Sequence, residues 1–384
     1  MVIKRFFYYN LMVDGNSTIY PSEKMKIWCI FLFISGFLNA TPHSKRLLDY
    51  PLRFDTTGSS DGMFLSARTF DVLNGRLQKR QILLHLNSGC NESTLWMNSD
   101  VFEVNSVYTV ALEFLDEVAD QVRINGEMVH KRPVRHTSMS DGTLCISSPY
   151  PEDSLFNELL KDRKKIVSFA FEQTDSGKYK LQSYPTGQVM FGDLGVPYRE
   201  DRTTQIDLLP LTSMKSMKSG WKTSKTLNFV SRSVNTQSQV IFDIATQLTS
   251  LPPSVFNEVV GDLKQWLFHP LDGKQIDDMH ALINSYLDEP LERIYFDCSF
   301  ARHLSAFSMN GIKIRTGWLY EKIGDLCRLR IIANVKQSSI SSFGFHLLKH
   351  FHFSVNFESP TQPFIEISHV DSFIRSVGSA CAIC

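Results

Sequence analysis

Apolar and polar positions along this chain fall in short blocks. Runs such as "QILLHL" (81–86), "KIVSFAFEQ" (165–173), "GQVMFGDLG" (187–195), "QVIFDIATQL" (239–248) and "FSMNGIKI" (307–314) are separated by Gly, Pro, Asn or Asp. Apolar runs of this length, punctuated by turn formers, are strand texture. Helical spacing is confined to two stretches. Ser154 to Leu160 carries Leu155, Phe156, Leu159 and Leu160 behind an acidic flank, and "PPSVFNEVVGDLKQWL" opens on Pro with apolar positions at helical spacing. The pattern predicts a mostly β protein with a few short helices.

A weak internal symmetry runs through these blocks. "LLHLNSGCNESTLWM" (83–97) and "VIFDIATQLTSL" (240–251) each give an apolar strand, an Asn or Asp, and a turn of small residues that returns to apolar ones. "SDGTLCISS" (140–148) and "SSFGFHLL" (341–348) follow at similar places in each half. A duplicated lobe would produce this; no longer tandem repeat accompanies it.

Composition narrows the class. With 384 residues, 43% hydrophobic and 21% charged, the chain is globular and long enough for one large domain or two lobes. Its formal net charge of zero supplies no general attraction to nucleic acid or to an anionic membrane, so neither is an expected partner. The histidines, including those of "KHFHF" (349–353), lack ligand partners at metal-binding spacing. Neither a metal nor another cofactor is expected.

The N-terminus carries an address. Met25-Lys26 precedes the apolar run Ile27 to Leu38 and then Asn39-Ala40-Thr41. A basic start, a short apolar core and a small residue make a secretory signal, too short for the roughly 20 residues of a membrane span. Residues 1–40 are therefore expected to be leader and cleaved signal, with translation starting at Met25, and the product to be secreted or to reside in an endomembrane or lysosomal lumen. That route permits disulfides. Beyond Cys29 of the signal remain Cys90, Cys145, Cys298, Cys327, Cys381 and Cys384; their count alone leaves the pairing open. The closing "CAIC" is spelled like a prenylation box, but that chemistry is cytosolic, and a secreted chain would carry it as a tail.

Six segments in order resemble the pepsin-like aspartic proteases. "QVIFDIATQLTSLPPSVFNEVVGDL" resembles the second catalytic turn of that family, an apolar strand into Asp-Thr-Gly-Thr-Ser and a Pro-led helix. "LLHLNSGCNESTLWM" resembles the first. "DGTLCISSPYPEDSLFNELLKDRKKIVSFAFEQ", "GQVMFGDLG", "DCSFARHLSAFSMNGIKIRTGWLYEKIGDLC" and "SSFGFHLLKHFHFSVNFE" resemble the family's other landmarks in sequence. The resemblance implies a mostly β, bilobal, pepsin-like double β-barrel with a cleft between lobes. It divides the chain into an N-terminal lobe (41–197), a C-terminal lobe (198–370) and a tail (371–384).

The family's chemistry needs two carboxylates sharing one proton. Asp243 fits the second. For the first, "FDTTGSSDG" (54–62) offers Asp55 by spelling, but Pro51, Arg53 and the single Phe54 make no apolar lead-in strand, no Leu-Trp follows, and the place is too near the mature start. It reads as a Gly/Ser loop. The strand, the Gly and the Leu-Trp all occur around Asn87 instead. An amide holds neither the charge nor the proton, so the general acid–base contribution, about 10² to 10⁴, is lost there. Carried over residue by residue, the substrate-binding turn positions are Gly89, Ala245 and Thr246. Ser88 keeps the hydroxyl that ties the two turns together, whereas Ile244 does not.

Other departures point the same way. The first turn carries two residues more than the family's, and Asn91-Glu92-Ser93 is a glycosylation sequon, making Asn91 a candidate glycan site. Between Asn87 and Asp141 there is one Tyr, Tyr108, and little Gly, so the family's flap hairpin is expected to be missing and the first lobe incomplete. Cys298 and Cys327 match the family's second-lobe disulfide. Cys90 and Cys145 fall on segments that run side by side in that fold, which implies either a second bridge or two buried thiols. The reading is a pseudoprotease that binds a peptide or protein ligand in its cleft as a monomer. The alternatives are an active aspartic endopeptidase or a mis-spliced gene model of one.

Overall fold

The punctuated apolar runs fold as strands. The computed structural model describes residues 48–54, 63–73, 76–97, 109–114, 122–127, 129–131, 140–150, 154–171, 187–192, 203–211, 220–268, 294–334 and 339–369. All belong to one unit, Leu47–Cys384. The expected signal (1–40), Asp55, Tyr108 and the tail lie outside the described residues.

The chain opens with β1 (Leu48–Phe54), β2 (Met63–Leu73) and β3 (Arg76–Asn87). The pair β2–β3 is a long antiparallel ribbon registered from Phe64↔His85 to Leu73↔Arg76. Toward its end β3 buries Ile82, Leu84 and Leu86 and leaves Leu83, His85 and Asn87 half-buried, the two-residue period of a strand with one covered face. There follow β4 (Thr94–Met97), β5 (Thr109–Phe114), β6 (Val122–Glu127), β7 (Val129–Lys131) and β8 (Gly142–Cys145). Helix α1 (Leu155–Leu159) starts where Ser154 Oγ accepts the Asn157 N–H at 3.1 Å, an N-cap, and turns Leu155, Phe156 and Leu159 inward. Then come β9 (Ile166–Phe171), buried along its whole length, and β10 (Gly187–Phe191).

The second half repeats the texture with β11 (Thr204–Asp207), β12 (Trp221–Lys222), β13 (Leu227–Val230), β14 (Asn235–Asp243) and β15 (Thr249–Leu251). Helix α2 (Pro253–Val259) has proline in its first turn, where a missing N–H costs nothing, and runs on into a 3₁₀ turn, Gly261–Trp266. Next are β16 (Tyr295–Asp297), β17 (Phe307–Met309) and β18 (Ile312–Ile314). The last two form a hairpin whose turn residues Asn310 and Gly311 both have positive φ, 46° and 84°, as a two-residue turn requires. The chain closes with β19 (Tyr320–Ile323), β20 (Leu326–Leu329), β21 (Ile331–Ala333), β22 (Ile340–Gly344), α3 (Phe345–Leu348), β23 (Phe351–Asn356) and β24 (Phe364–His369).

Three sheets result. One has 13 strands in the path β11-β24-β23-β9-β10-β1-β2-β3-β8-β4-β7, with β5 on β2 and β6 on β5. Another has 8 strands, β18-β17-β13-β14-β22-β15-β21 with β12 on β14, and a small one is β16-β20-β19. The path from β11 to β1 joins three strands of the second half to three of the first at one seam, where β9 pairs antiparallel with β23, Phe169 opposite Phe353. Those two rings stack at 4.6 Å between centroids, and Trp221, fully buried, packs against Phe169 and Phe357. This aromatic layer is the part of the core that both halves share.

Two expectations need correction. A strand, β1, does lead into Asp55. It pairs with β10 through Leu48 to Leu52 and with β2 only from Leu52 onward, so Pro51, which has no N–H to give, sits where one flank alone is paired. Second, no sheet closes into a barrel among the described residues. Between Asn87 and Asp141 the strands β5 and β6 pair from Thr109↔Glu127 to Phe114↔Val122.

Candidate active site

Asn87 and Asp243 end two strands that are placed alike. β3 runs parallel to β8, bringing Asn87 opposite Cys145; β14 runs parallel to β22, bringing Asp243 opposite Gly344. In each case the chain turns back and adds a strand antiparallel to that partner, with Thr94 opposite Thr143 and Ser250 opposite Ser342. That strand then takes a parallel neighbour, β4 with β7 and β15 with β21. Asn87 and Asp243 are thus counterparts in a duplicated four-strand unit. The internal symmetry suggested by the sequence is this duplication.

Matching atoms carry the correspondence into the turns. Gly89 N–H donates to Asn87 Oδ1 at 2.6 Å, and Ala245 N–H donates to Asp243 Oδ1 at 2.9 Å. Six residues after each strand end a hydroxyl accepts a backbone N–H from the opposing strand: Ser93 Oγ from Cys145 at 2.9 Å, Thr249 Oγ1 from Gly344 at 3.2 Å. The two turns are therefore in step with each other, whatever their length relative to other proteins.

The turns meet at Ser88. Its side chain, 1% exposed, accepts the Ile244 N–H at 3.1 Å and reaches the Phe242 carbonyl and Asp243 Oδ1, each at 3.4 Å. The reciprocal link is absent because Ile244 has no hydroxyl. Ile244 is fully buried instead, exchanging a hydrogen bond for apolar packing.

Asp243 is buried, and that burial raises its pKa above 3.8. Hydrogen bonds from Ala245, Thr246 and Ser88 oppose the rise. Thr246 is exposed and its hydroxyl lies 3.5 Å from the Asp243 carbonyl. Gly89 and Ala245 are half-buried. His85, two residues before Asn87 and ringed against Phe64 at 5.3 Å, is held by burial at a pKa of about 4.

Both disulfides form. Cys298 and Cys327 have Cα atoms 5.0 Å apart, and Cys90 joins Cys145 with Cα atoms 5.6 Å apart, within the range a bridge spans. Cys90 accordingly has no thiol to serve as a nucleophile. The bridge lies beside the first turn, where Ser147 Oγ also donates to the Cys90 carbonyl at 2.6 Å and Trp221 Nε1 donates to the Ser147 carbonyl at 3.0 Å. Asn91 next to it is exposed. Among the described residues no His, Cys, Asp and Glu group could hold a metal, and no helix is long and apolar enough to cross a membrane.

Behind the second turn lies a polar network that sequence reasoning missed. Arg330, 2% exposed, donates to Gln247 Oε1 at 2.6 Å and to Glu321 Oε2 at 2.5 Å, and Arg328 donates to the same Glu321 oxygen at 2.6 Å. Burial would raise the Glu321 pKa, yet the two guanidinium groups outweigh it and hold the carboxyl below its ordinary value. His346, buried on α3, places Nε2 3.3 Å from the Tyr320 carbonyl. The available signal was the apolar run "LCRLRIIA" (326–333), with two arginines and no turn former to bring them to the surface.

Comparison with known proteins agrees with this architecture. No family model and no curated protein matches the sequence. Among solved structures the chain is similar to an aspartic proteinase from Irpex lacteus, with a TM-score of 0.54 at 11% identity over 84% of this chain and 98% of that one. The fold is pepsin-like. At that identity the likeness extends to the fold and leaves the chemistry to be argued from Asn87, Asp243 and their surroundings.

Proposed function

We propose that the chain is a secreted or lumenal pepsin-like aspartic peptidase homologue that has lost hydrolysis and holds a peptide or protein segment in a cleft between an N-terminal lobe (41–197) and a C-terminal lobe (198–370). The observation that carries the reading is the pairing of Asn87 with Asp243 as counterparts in the duplicated unit. Peptide hydrolysis by this chemistry needs one carboxylate to take a proton from water while the other gives one. Asn87 can do neither, and Asp243 alone cannot be acid and base at once. The two disulfides fit passage through an oxidising compartment, where Asn91 would meet the glycosylation machinery.

The test is an acid proteolysis assay on the purified secreted chain with denatured protein as substrate, with and without pepstatin. No pepstatin-sensitive cleavage is expected at any pH between about 3 and 6. Cleavage that Asp243→Ala abolishes would favour the active endopeptidase instead.

A further inference from the structure

We propose that Asn91 accepts a glycan only while Cys90 is still a thiol. Closing the Cys90–Cys145 bridge ends the modification, and the mature chain carries both because the glycan comes first. This rests on the reading that the chain enters an oxidising lumen.

Asn91-Glu92-Ser93 is the one glycosylation sequon between residues 41 and 384; those at Asn16 and Asn39 lie in the segment expected to leave with the signal. Asn91 and Glu92 are exposed, so the folded turn has room for an oligosaccharide already attached. The same turn is closed to the enzyme that attaches it. A transferase reads the Asn together with the hydroxyl two residues on, and must draw that stretch of chain into its own site. Here Ser93 is half-buried and its Oγ takes the Cys145 N–H at 2.9 Å, while Cys90, next to Asn91, is bonded to the same Cys145. The Cys90 carbonyl also accepts Ser147 Oγ at 2.6 Å, and β4 begins at Thr94, directly after the sequon. Both ends of the sequon are thus fastened to Cys145, one of them covalently. The hydrogen bonds of a turn open and reclose spontaneously; the covalent bond opens only by thiol–disulfide exchange. The bridge is therefore the gate.

Chain order supplies the window. Cys145 lies 55 residues after Cys90, and at roughly 5–20 residues per second of synthesis it follows about 3–11 s later. Until then Cys90 has no Cys145 to bond. In the transfer, Asn91 Nδ2 bonds to the anomeric carbon of a lipid pyrophosphate-linked oligosaccharide. The bond from that carbon to the pyrophosphate oxygen breaks, the lipid pyrophosphate leaves with the electron pair, and the amide gives up one proton. Closure of the bridge then passes two electrons and two protons from the thiols to a protein disulfide, which becomes a dithiol.

The experiment has two arms. The full chain is expressed in secreting eukaryotic cells; separately, it is purified without glycan from a bacterial periplasm and offered to an oligosaccharyl transferase with its lipid-linked donor. The secreted chain should lose mass on treatment with peptide N-glycosidase, and Asn91→Gln should not. In vitro the bridged chain should be glycosylated at least about tenfold more slowly than Cys90→Ser/Cys145→Ser. Cys298→Ser/Cys327→Ser, which loses the other bridge, should stay as slow as wild type. Equal rates for the bridged and unbridged turns overturn the gate, and so does a gain shared by Cys298→Ser/Cys327→Ser, which marks general unfolding. A secreted chain without glycan overturns the site and leaves the secreted reading standing; a chain confined to the cytosol overturns that reading and the site with it.

Discussion

Asp243 and the buried histidines pull stability in opposite directions as pH changes. Burial raises the Asp243 pKa above 3.8, so the folded state binds that proton more tightly than the unfolded chain. Its contribution is most favourable below pH 3.8 and declines as pH rises through the raised value. Asp243→Asn keeps an acceptor for the Ala245 N–H and removes the charge. Thermal melts should show a higher Tm for this variant at pH 7 and a gain that shrinks toward pH 3.8. His352 is the opposite case. Its Nδ1 accepts the Phe171 N–H at 3.2 Å, which only an unprotonated nitrogen can do. Burial lowers His85 and His352 to about 4 and His350 to about 3, from 6.5. Their contribution is complete above pH 6.5 and is lost as pH falls toward 4 and 3. Tm should therefore drop between pH 6.5 and 4, and His352→Gln should flatten that drop. A third residue-scale prediction concerns Glu321, a carboxylate that pairs with both Arg328 and Arg330. Glu321→Gln removes a carboxylate shared by two buried guanidinium groups and should destabilise by up to about 3–5 kcal/mol, the cost of breaking a buried pair, read as a lower urea midpoint.

Among elements, the two copies of the four-strand unit differ most informatively opposite the strand ends. A Cβ on Gly344 would lie 2.5 Å from the Leu248 carbonyl oxygen and 2.7 Å from Gln247 backbone atoms, so the second copy needs glycine there. Gly344→Ala should destabilise by about 1–3 kcal/mol through overpacking, visible in the same melts. The first copy has Cys145 at that place and bonds it to the facing turn through Cys90, turning a close approach into a covalent one. Much of this was legible in sequence. The strand, polar residue and small-residue turn recur because both copies obey one local geometry, and Asn87 could be chosen over Asp55 on its flanking strand and Leu-Trp. β1 was hidden because Pro51 and Arg53 break the apolar pattern, and only its one-sided pairing explains their tolerance. Arg328 and Arg330 stand in an apolar run that does not announce their partner, because Glu321, which pairs with both, comes from the neighbouring strand β19.

At the scale of the molecule the least legible feature was the pairing of β9 with β23. Phe169 and Phe353 are opposite each other although far apart in sequence, and no local pattern announces such a partner. The path β11-β24-β23-β9-β10-β1 therefore cannot form until both halves of the chain exist. Folding dominated by such distant pairings is slow, so refolding from urea should lack a fast phase that restores the Trp221 fluorescence of the native core. Separated, each half would expose a strand edge that belongs against the other, β9 on one side and β23 on the other, and an unpaired edge recruits whatever strand it meets. The same edges make the halves each other's best partner. A chain cut once between Gly192 and Thr203 should elute as one particle, and two fragments expressed together should find each other where either alone precipitates.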